Sequence, residues 1–314
     1  MVPTQKAGQH RSIVIHKRYI MGYQLWVNPV TGYRRKGTKF STLKKIFIDN
    51  VTTKSIYEPL LCCPADSGAE HAKDALKTRG FDVAGVKETE GGDVIGYVIT
   101  DELMGGEVKE YLKHIDPKIL ISDSTPIADI FTALTNRDFA FVLYGKQIIG
   151  IITKADVNKP PVRIYLFGMI SLFEMHLNLW INHFYPGNSW EHQMCDNRIK
   201  DARDIYEMRK GNNQDLSLLE CLQFCDKRDL LTKSEDFREE FDSSGNQFDS
   251  FMKRVEKIRN ELAHSQNSII SNLEWSVFVE TVSHLEDFLI RSDIKVEHIA
   301  TKGNDFEDLL VPIV

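Results

Sequence analysis

The chain has 314 residues, 42% hydrophobic and 27% charged, with a formal net charge of −6; this is enough chain for two or three domains with real cores. An acidic bulk argues against tight nonspecific binding of nucleic acid, which rests on Lys and Arg neutralising phosphates. Five cysteines in helical or apolar surroundings fit a reducing cytosol better than a disulfide framework, and the first residues hold no apolar run of signal-peptide length, so a cytoplasmic location is expected.

The charge is unevenly spread. The first 50 residues carry ten Lys or Arg against one acid. Residues 1–41 read as a basic N-terminal extension, largely solvated. Within it "YIMGYQLWVNPVTGYRR" sets the turn signals Asn28-Pro29 and Thr31-Gly32 between strand-like pieces, which predicts a hairpin.

Residues 42–158 mix short strands with short helices. "AEHAKDALKTRG" predicts a helix ended by Gly80, and "DVAGVKE" and "VIGYVIT" predict strands around the turn "TEGGD". The pattern then recurs: "PKILISDSTP" as strand and turn, "IADIFTALTNR" as helix, "FAFVLYG" and "IIGIITKAD" as a second hairpin. This is strand-helix-strand-strand twice, divided at about 42–105 and 106–158. Units so small bury too little surface alone, so the two are expected to share one core.

After "VNKPPV" the sequence reads as almost all helix over 162–292, with 293–314 as a C-terminal tail. Pro161 suits the first turn of a helix. The segment 162–184 is apolar on every side, as in a central buried helix; Arg163, Gly168, Glu174 and His176 interrupt it too often for a membrane span. "YPGNS" breaks it, with Ser189 as the expected cap of a helix to about Lys210. Further helices are expected over "SLLECLQFCD", over "SEDFREEF" with Ser234 as cap, and over about 245–265 and 268–290, a bundle of about five. The expected fold class is therefore α+β, a repeated sheet module followed by an all-α bundle.

In the second repeat, "ILISDSTPIADIF" and "GKQIIGIITKADV" resemble the opening strand, turn and helix and the closing hairpin of cystathionine-beta-synthase (CBS) domains, including the ending Gly-x-x-Thr-x-x-Asp. The resemblance covers about a third of the chain and implies a tandem CBS pair. It further implies a cleft for an adenine nucleotide (ATP, ADP, AMP or a relative), with Thr153 and Asp156 toward phosphate and ribose and Ile121 and Ala140 beside the base. A carboxylate accepts two hydrogen bonds from a ribose diol, and a hydroxyl near a helix start meets phosphate. The first repeat departs from the pattern, with Leu103 where the ribose-binding Asp would stand. Against the ligand role, Asp156 also reads as a simple cap of the following helix.

In the helix expected over 245–265, Phe248, Phe251, Val255, Ile258 and Leu262 are spaced 3, 4, 3, 4 along one stripe. Asn260 and His264 lie outside it, Arg259 at its edge, and the small Ala263 leaves a dent on this second face. "IRNELAH" in an all-helical block resembles the ribonuclease signature of HEPN domains (higher eukaryotes and prokaryotes nucleotide-binding). That resemblance implies a metal-independent endoribonuclease, needing no cofactor for catalysis. RNA would be cut by its own 2'-hydroxyl at a homodimer interface lined by Arg259, Asn260 and His264. An imidazole exchanges protons near neutral pH, and a guanidinium offers a charged planar fork to phosphate. Glu174, inside the apolar helix, needs a partner; Arg259 is the natural candidate, with Arg163 or a tyrosine as rivals. Many HEPN domains are not enzymes, so a second reading stands: a nucleotide sensor whose bundle serves dimerisation and partner docking. A zinc site from His192-x-x-Cys195 and Cys221-x3-Cys225 is disfavoured, because Cys221 and Cys225 read as helix core. No metal and no membrane partner are expected.

Overall fold

The computed structural model describes residues 25–26, 37–212, 216–264, 268–271 and 273–302. The hairpin expected near the N-terminus lies outside these residues apart from Leu25 and Trp26. Those two correct the picture of a solvated extension: they are 0% and 5% exposed and belong to the main core. A helix not anticipated, α1 (Phe40–Asn50), straddles the boundary expected at residue 41. Its N-cap residue Lys39 offers no side-chain cap. The Phe40 N–H instead donates to Asp293 Oδ2 at 2.8 Å, a carboxylate far along the chain.

Two strand-helix-strand-strand units follow. After β1 (Glu58–Pro59), the first has β2 (Cys62–Pro64), α2 (Ala69–Thr78), β3 (Val83–Lys87) and β4 (Val94–Ile99), with sheet order β2-β3-β4. The second has β5 (Leu120–Ser122), α3 (Ile127–Ala133), β6 (Phe139–Tyr144) and β7 (Gln147–Thr153). In each, the first two strands pair parallel across the helix and the last two antiparallel as a hairpin.

The units are interlocked. Strand β1, which leads into the first unit, pairs antiparallel with β7 of the second, giving the order β1-β7-β6-β5. Reciprocally, Lys113, on the way into the second unit, bridges to Tyr97 in β4 of the first. Both crossings demand glycine. A Cβ on Gly150 would run into the Tyr57 ring and the Glu58 carbonyl, and one on Gly96 would meet the Lys113 carbonyl at 2.5 Å. Between the two sheets, Val83, Phe141 and Ile151 pack with Tyr97 and Phe139.

The other face of the second sheet does not form a core of its own. Ala140, Val142 and Ile152 join Ile127, Ile130 and Phe131 of α3 in one cluster with the helical block. The central helix α4 (Pro160–Phe184) starts with prolines in its first turn, as expected. It is long and apolar enough to cross a membrane by composition alone, but α1, α6, α8 and α9 pack around it.

Downstream, four expectations are corrected. The break after α4 is a run of 3-10 turns, Pro186–Gln193, with Gly187 and Asn188 at positive φ. Helix α5 (Asp196–Gly211) therefore begins seven residues after Ser189, which caps nothing there. "SLLECLQFCD" is one 3-10 turn, Leu218–Cys221, then α6 (Phe224–Lys233), because Gln223 and Asp226 form their own capping box. Cys221 and Cys225 thus sit on different elements. Helix α7 (Glu235–Glu240) has the expected cap, Ser234 Oγ accepting from the Phe237 N–H. Helix α8 (Gly245–Ala263) buries Phe248, Phe251, Val255 and Ile258 as the stripe predicts, but ends before His264. The last helix, α9 (Trp275–Lys302), starts later than expected and runs on past 292 into the segment read as a tail.

Because α3 is rooted in the core of the helical block, with the Phe131 ring 5.3 Å from that of Phe278 on α9, sheet and helices should unfold together. Phe131→Ala is expected to cost about 3–5 kcal/mol. Its thermal melt should remain a single transition by both far-ultraviolet circular dichroism and tryptophan fluorescence; two separated transitions would contradict the shared core.

Candidate functional site

The first candidate is the cleft at the end of β7, of about 510 Å³, lined by Glu58, Phe81, Asp82, Asp138, Thr153, Lys154 and Asp156 among others. It lies at the interlocked end of the two units. Thr153 and Asp156 are brought together, yet largely bound to each other. Asp156 Oδ2 accepts from the Thr153 N–H at 2.7 Å and from its Oγ1 at 3.0 Å, a capping box around the 3-10 turn Lys154–Asn158. The capping reading of Asp156 therefore describes its present partners, although it caps this turn and not α4.

Asp156 Oδ1 takes an ion pair from Lys159 at 2.8 Å, and Lys159 also reaches Glu58 and the Ile56 carbonyl. Burial alone pulls Lys159 down. Its hydrogen bonds to Asp156 and Glu58 outweigh that and hold it above the ordinary lysine range. Lys154 pairs with Asp138 at 3.1 Å. The rim thus carries four carboxylates and few cations, which suits a sugar diol better than a phosphate chain.

Ile121 and Ala140 do not reach this cleft. Ala140 is fully buried on the opposite face of β6, and Ile121 packs on the helical core. Neighbouring strand residues face opposite sides of a sheet, and these two point to the bundle, so the expected base-side contacts are corrected. In the first unit Leu103 is buried and Thr100 Oγ1 donates to the Phe81 carbonyl, so the corresponding corner is filled by core.

The second candidate is the outer face of α8. Arg259 Nε donates to Glu174 Oε1 at 2.8 Å, the pairing expected from sequence. Arg163 is not the partner: its Nη2 donates to the carbonyls of Glu261, Leu262 and His264 and closes the end of α8. This explains why the helix stops at Ala263. His264 is its C-cap residue, in extended conformation (φ −102°, ψ 96°). Asn260, Ala263 and His264 are all exposed. The Arg259 guanidinium lies over the Phe224 ring at 5.9 Å, and its side chain is 45% exposed. Held through Nε alone among the described residues, it keeps both Nη groups for a ligand, the fork that suits a phosphate.

A residue that sequence reasoning missed sits beneath this pair. Lys227 on α6 is 3% exposed, its Nζ 3.9 Å from Glu174 Oε2. Burial pushes its ammonium below the ordinary lysine range, while Glu174 and Glu220 pull it back. In "FCDKRDLL" nothing but its place on the inner side of a short helix marked it. The cysteines are free, and Cys225 accepts from Arg198 Nη2 at 2.8 Å. Among the described residues no group of three or more His, Cys, Asp and Glu converges as a metal site would need.

No family model matches the sequence, and no curated protein does. Among solved structures, the chain is similar to the CBS domain of the bacterial CNNM/CorC family Mg2+ transporter in complex with ATP, at 11% identity and a TM-score of 0.32, over 38% of this chain and 92% of that one. It is also similar to the CBS domains of a transcriptional regulator from Streptococcus pneumoniae, at 16% and 0.30, over 35% and 98%. A CBS domain-containing protein from Bacillus anthracis matches at 16% and 0.32, over 36% and 94%.

The carbonyls of Glu261, Leu262 and the cap residue His264 converge on one guanidinium, so Arg163→Met should fray the last turn. Hydrogen exchange of the amides at 260–264 is expected to speed up about tenfold relative to the parent, with α4 unaffected; unchanged protection would show that the cap is dispensable.

Proposed function

We propose that the chain is a ligand-regulated ribonuclease. A tandem CBS pair binds an adenine nucleotide in the cleft at Thr153 and Asp156. A HEPN-like bundle cleaves RNA at a homodimer interface through Arg259 and His264, in the cytoplasm. The observation that carries the reading is the turn Lys154–Asn158. Its first residues line the cleft. Its last, Asn158, accepts through Oδ1 from the Ile269 N–H at 2.8 Å, in the connection that follows His264. Lys154 also lies over the Trp275 ring, at the start of α9. A ligand that rearranges the Thr153–Asp156 capping box thereby acts on the segment carrying the imidazole, and it shifts activity to the extent that it prefers one arrangement.

The chemistry follows from side-chain type. Arg259, fixed by Glu174, presents its free Nη groups to a phosphodiester as charge builds on it. His264 takes the proton of the 2'-hydroxyl or gives one to the leaving 5'-oxygen. A single imidazole serves both ends poorly, which is the reason for two protomers. The exposed Ile164 and Phe167 on α4, each 61% exposed, supply apolar surface for the second copy. The same patch supports a second reading, in which the bundle only docks a partner and the CBS pair is a sensor.

The test is incubation of the purified chain with labelled single-stranded RNA in EDTA, with and without ATP, ADP or AMP. The expected products end in 2',3'-cyclic phosphate, and His264→Ala and Arg259→Ala each lose about 10²–10⁴ in rate. Cleavage by His264→Ala at the parent's rate would sink the nuclease. Nucleotide-dependent melting shifts without any cleavage would leave the sensor.

A further inference from the structure

Lys227 is a buried cation that the scheme above does not use. Four groups face it: Glu174 from α4, Glu220 and Cys221 from the turn before α6, and Arg259 from α8. Glu220 is already engaged, its Oε2 accepting from the Ser217 N–H at 2.7 Å and from Ser217 Oγ at 2.9 Å. Glu174 is accordingly the one ion-pair partner of Lys227 within 4.0 Å among the described residues.

An ammonium is a poor choice if the position only needs filling. Replacing a buried ionic group by an apolar one of similar volume is often neutral or stabilising. What the ammonium adds here is a division of labour on one carboxylate. Oε2 of Glu174 faces Lys227 from inside the bundle, and Oε1 holds Arg259 Nε from outside. With a single cation the carboxylate is free to turn about its last torsion, which is broad for glutamate. With one cation on each oxygen that rotation is restrained, and so is the plane of the guanidinium bound to it.

We propose that Lys227 is a positioning residue for Arg259: acting through Glu174, it fixes the guanidinium so that both Nη groups face a phosphodiester of single-stranded RNA. This rests on the reading of Arg259 as the phosphate-binding residue. Its test therefore has one arm that does not depend on RNA.

In the full-length chain labelled with 15N-arginine, the Arg259 Nε–H signal is assigned by its loss in Arg259→Lys. It is expected to be protected from exchange with water. Lys227→Met keeps the length and removes the charge. It should fold with an undiminished melting temperature, exchange Nε–H about tenfold faster, and bind an uncleavable 2'-O-methyl RNA oligonucleotide about tenfold more weakly. Lys227→Arg should retain both properties. Protection unchanged in Lys227→Met overturns the proposal, as does an unprotected Nε–H in the parent. A melting temperature that falls while protection is kept reduces Lys227 to a structural residue and overturns it too. If Lys227→Met does not fold, Lys227→Gln is read in the same way. Failure of the parent to bind the oligonucleotide removes the RNA half of the proposal and the nuclease reading with it, while the Nε–H comparison still decides whether Lys227 positions Arg259.

Discussion

The constraint on which the rest depends is the burial of α4. A helix that is apolar on every side needs neighbours on every side, and this one begins directly after the turn that closes β7. Its cover must come from both halves of the chain. Helix α1 and the α3 face of the second sheet close it toward the N-terminal module, and α6, α8 and α9 close the remainder. The result is one core shared by the second unit and the helical block, while the first unit keeps a cluster of its own around Ala72, Leu76, Val86 and Val98. Two polar groups on α4 sit where its cover has openings, Arg163 at the end of α8 and Glu174 between α6 and α8, whereas His176 and Asn178 are buried.

Much of this was legible because it is local. Period-2 and period-3.6 patterns marked the two repeats, α4 and the buried stripe of α8, and Glu174 announced a partner by interrupting an apolar run. What escaped depends on distant residues. The start of α1 is capped by Asp293, which no window around Phe40 contains. The end of α8 is set by Arg163, so a pattern read as running to about 265 overshoots by two residues. Gln223 and Asp226 split an apolar stretch that reads as continuous. Ala140 and Ile121 were placed by resemblance to a family's cleft, whereas the side each faces is decided by the bundle against which the sheet packs.

The two candidate sites differ in readiness. At the cleft, Thr153, Asp156 and Lys159 satisfy one another, so a ligand must exchange existing bonds for its own. On α8 the guanidinium lies over the Phe224 ring and, among the described residues, is hydrogen-bonded through one nitrogen alone. The turn Lys154–Asn158 runs between the closed cleft and the segment that follows the open face of α8.

The exchange of β1 and the Lys113 segment between the sheets has a further bearing, on how the chain reaches its native state. Strand β1 finds its partner only at Gly150 and Ile151. During synthesis it must therefore wait, with a bare edge, until the second unit has left the ribosome. Contacts so distant in sequence close slowly, and an unsatisfied edge invites pairing with other chains. Glu58 and Pro59, a charge and a residue with no N–H to offer, make a short and unattractive template. The residues that lock the module together at the end are the same ones that guard it while it is unfinished.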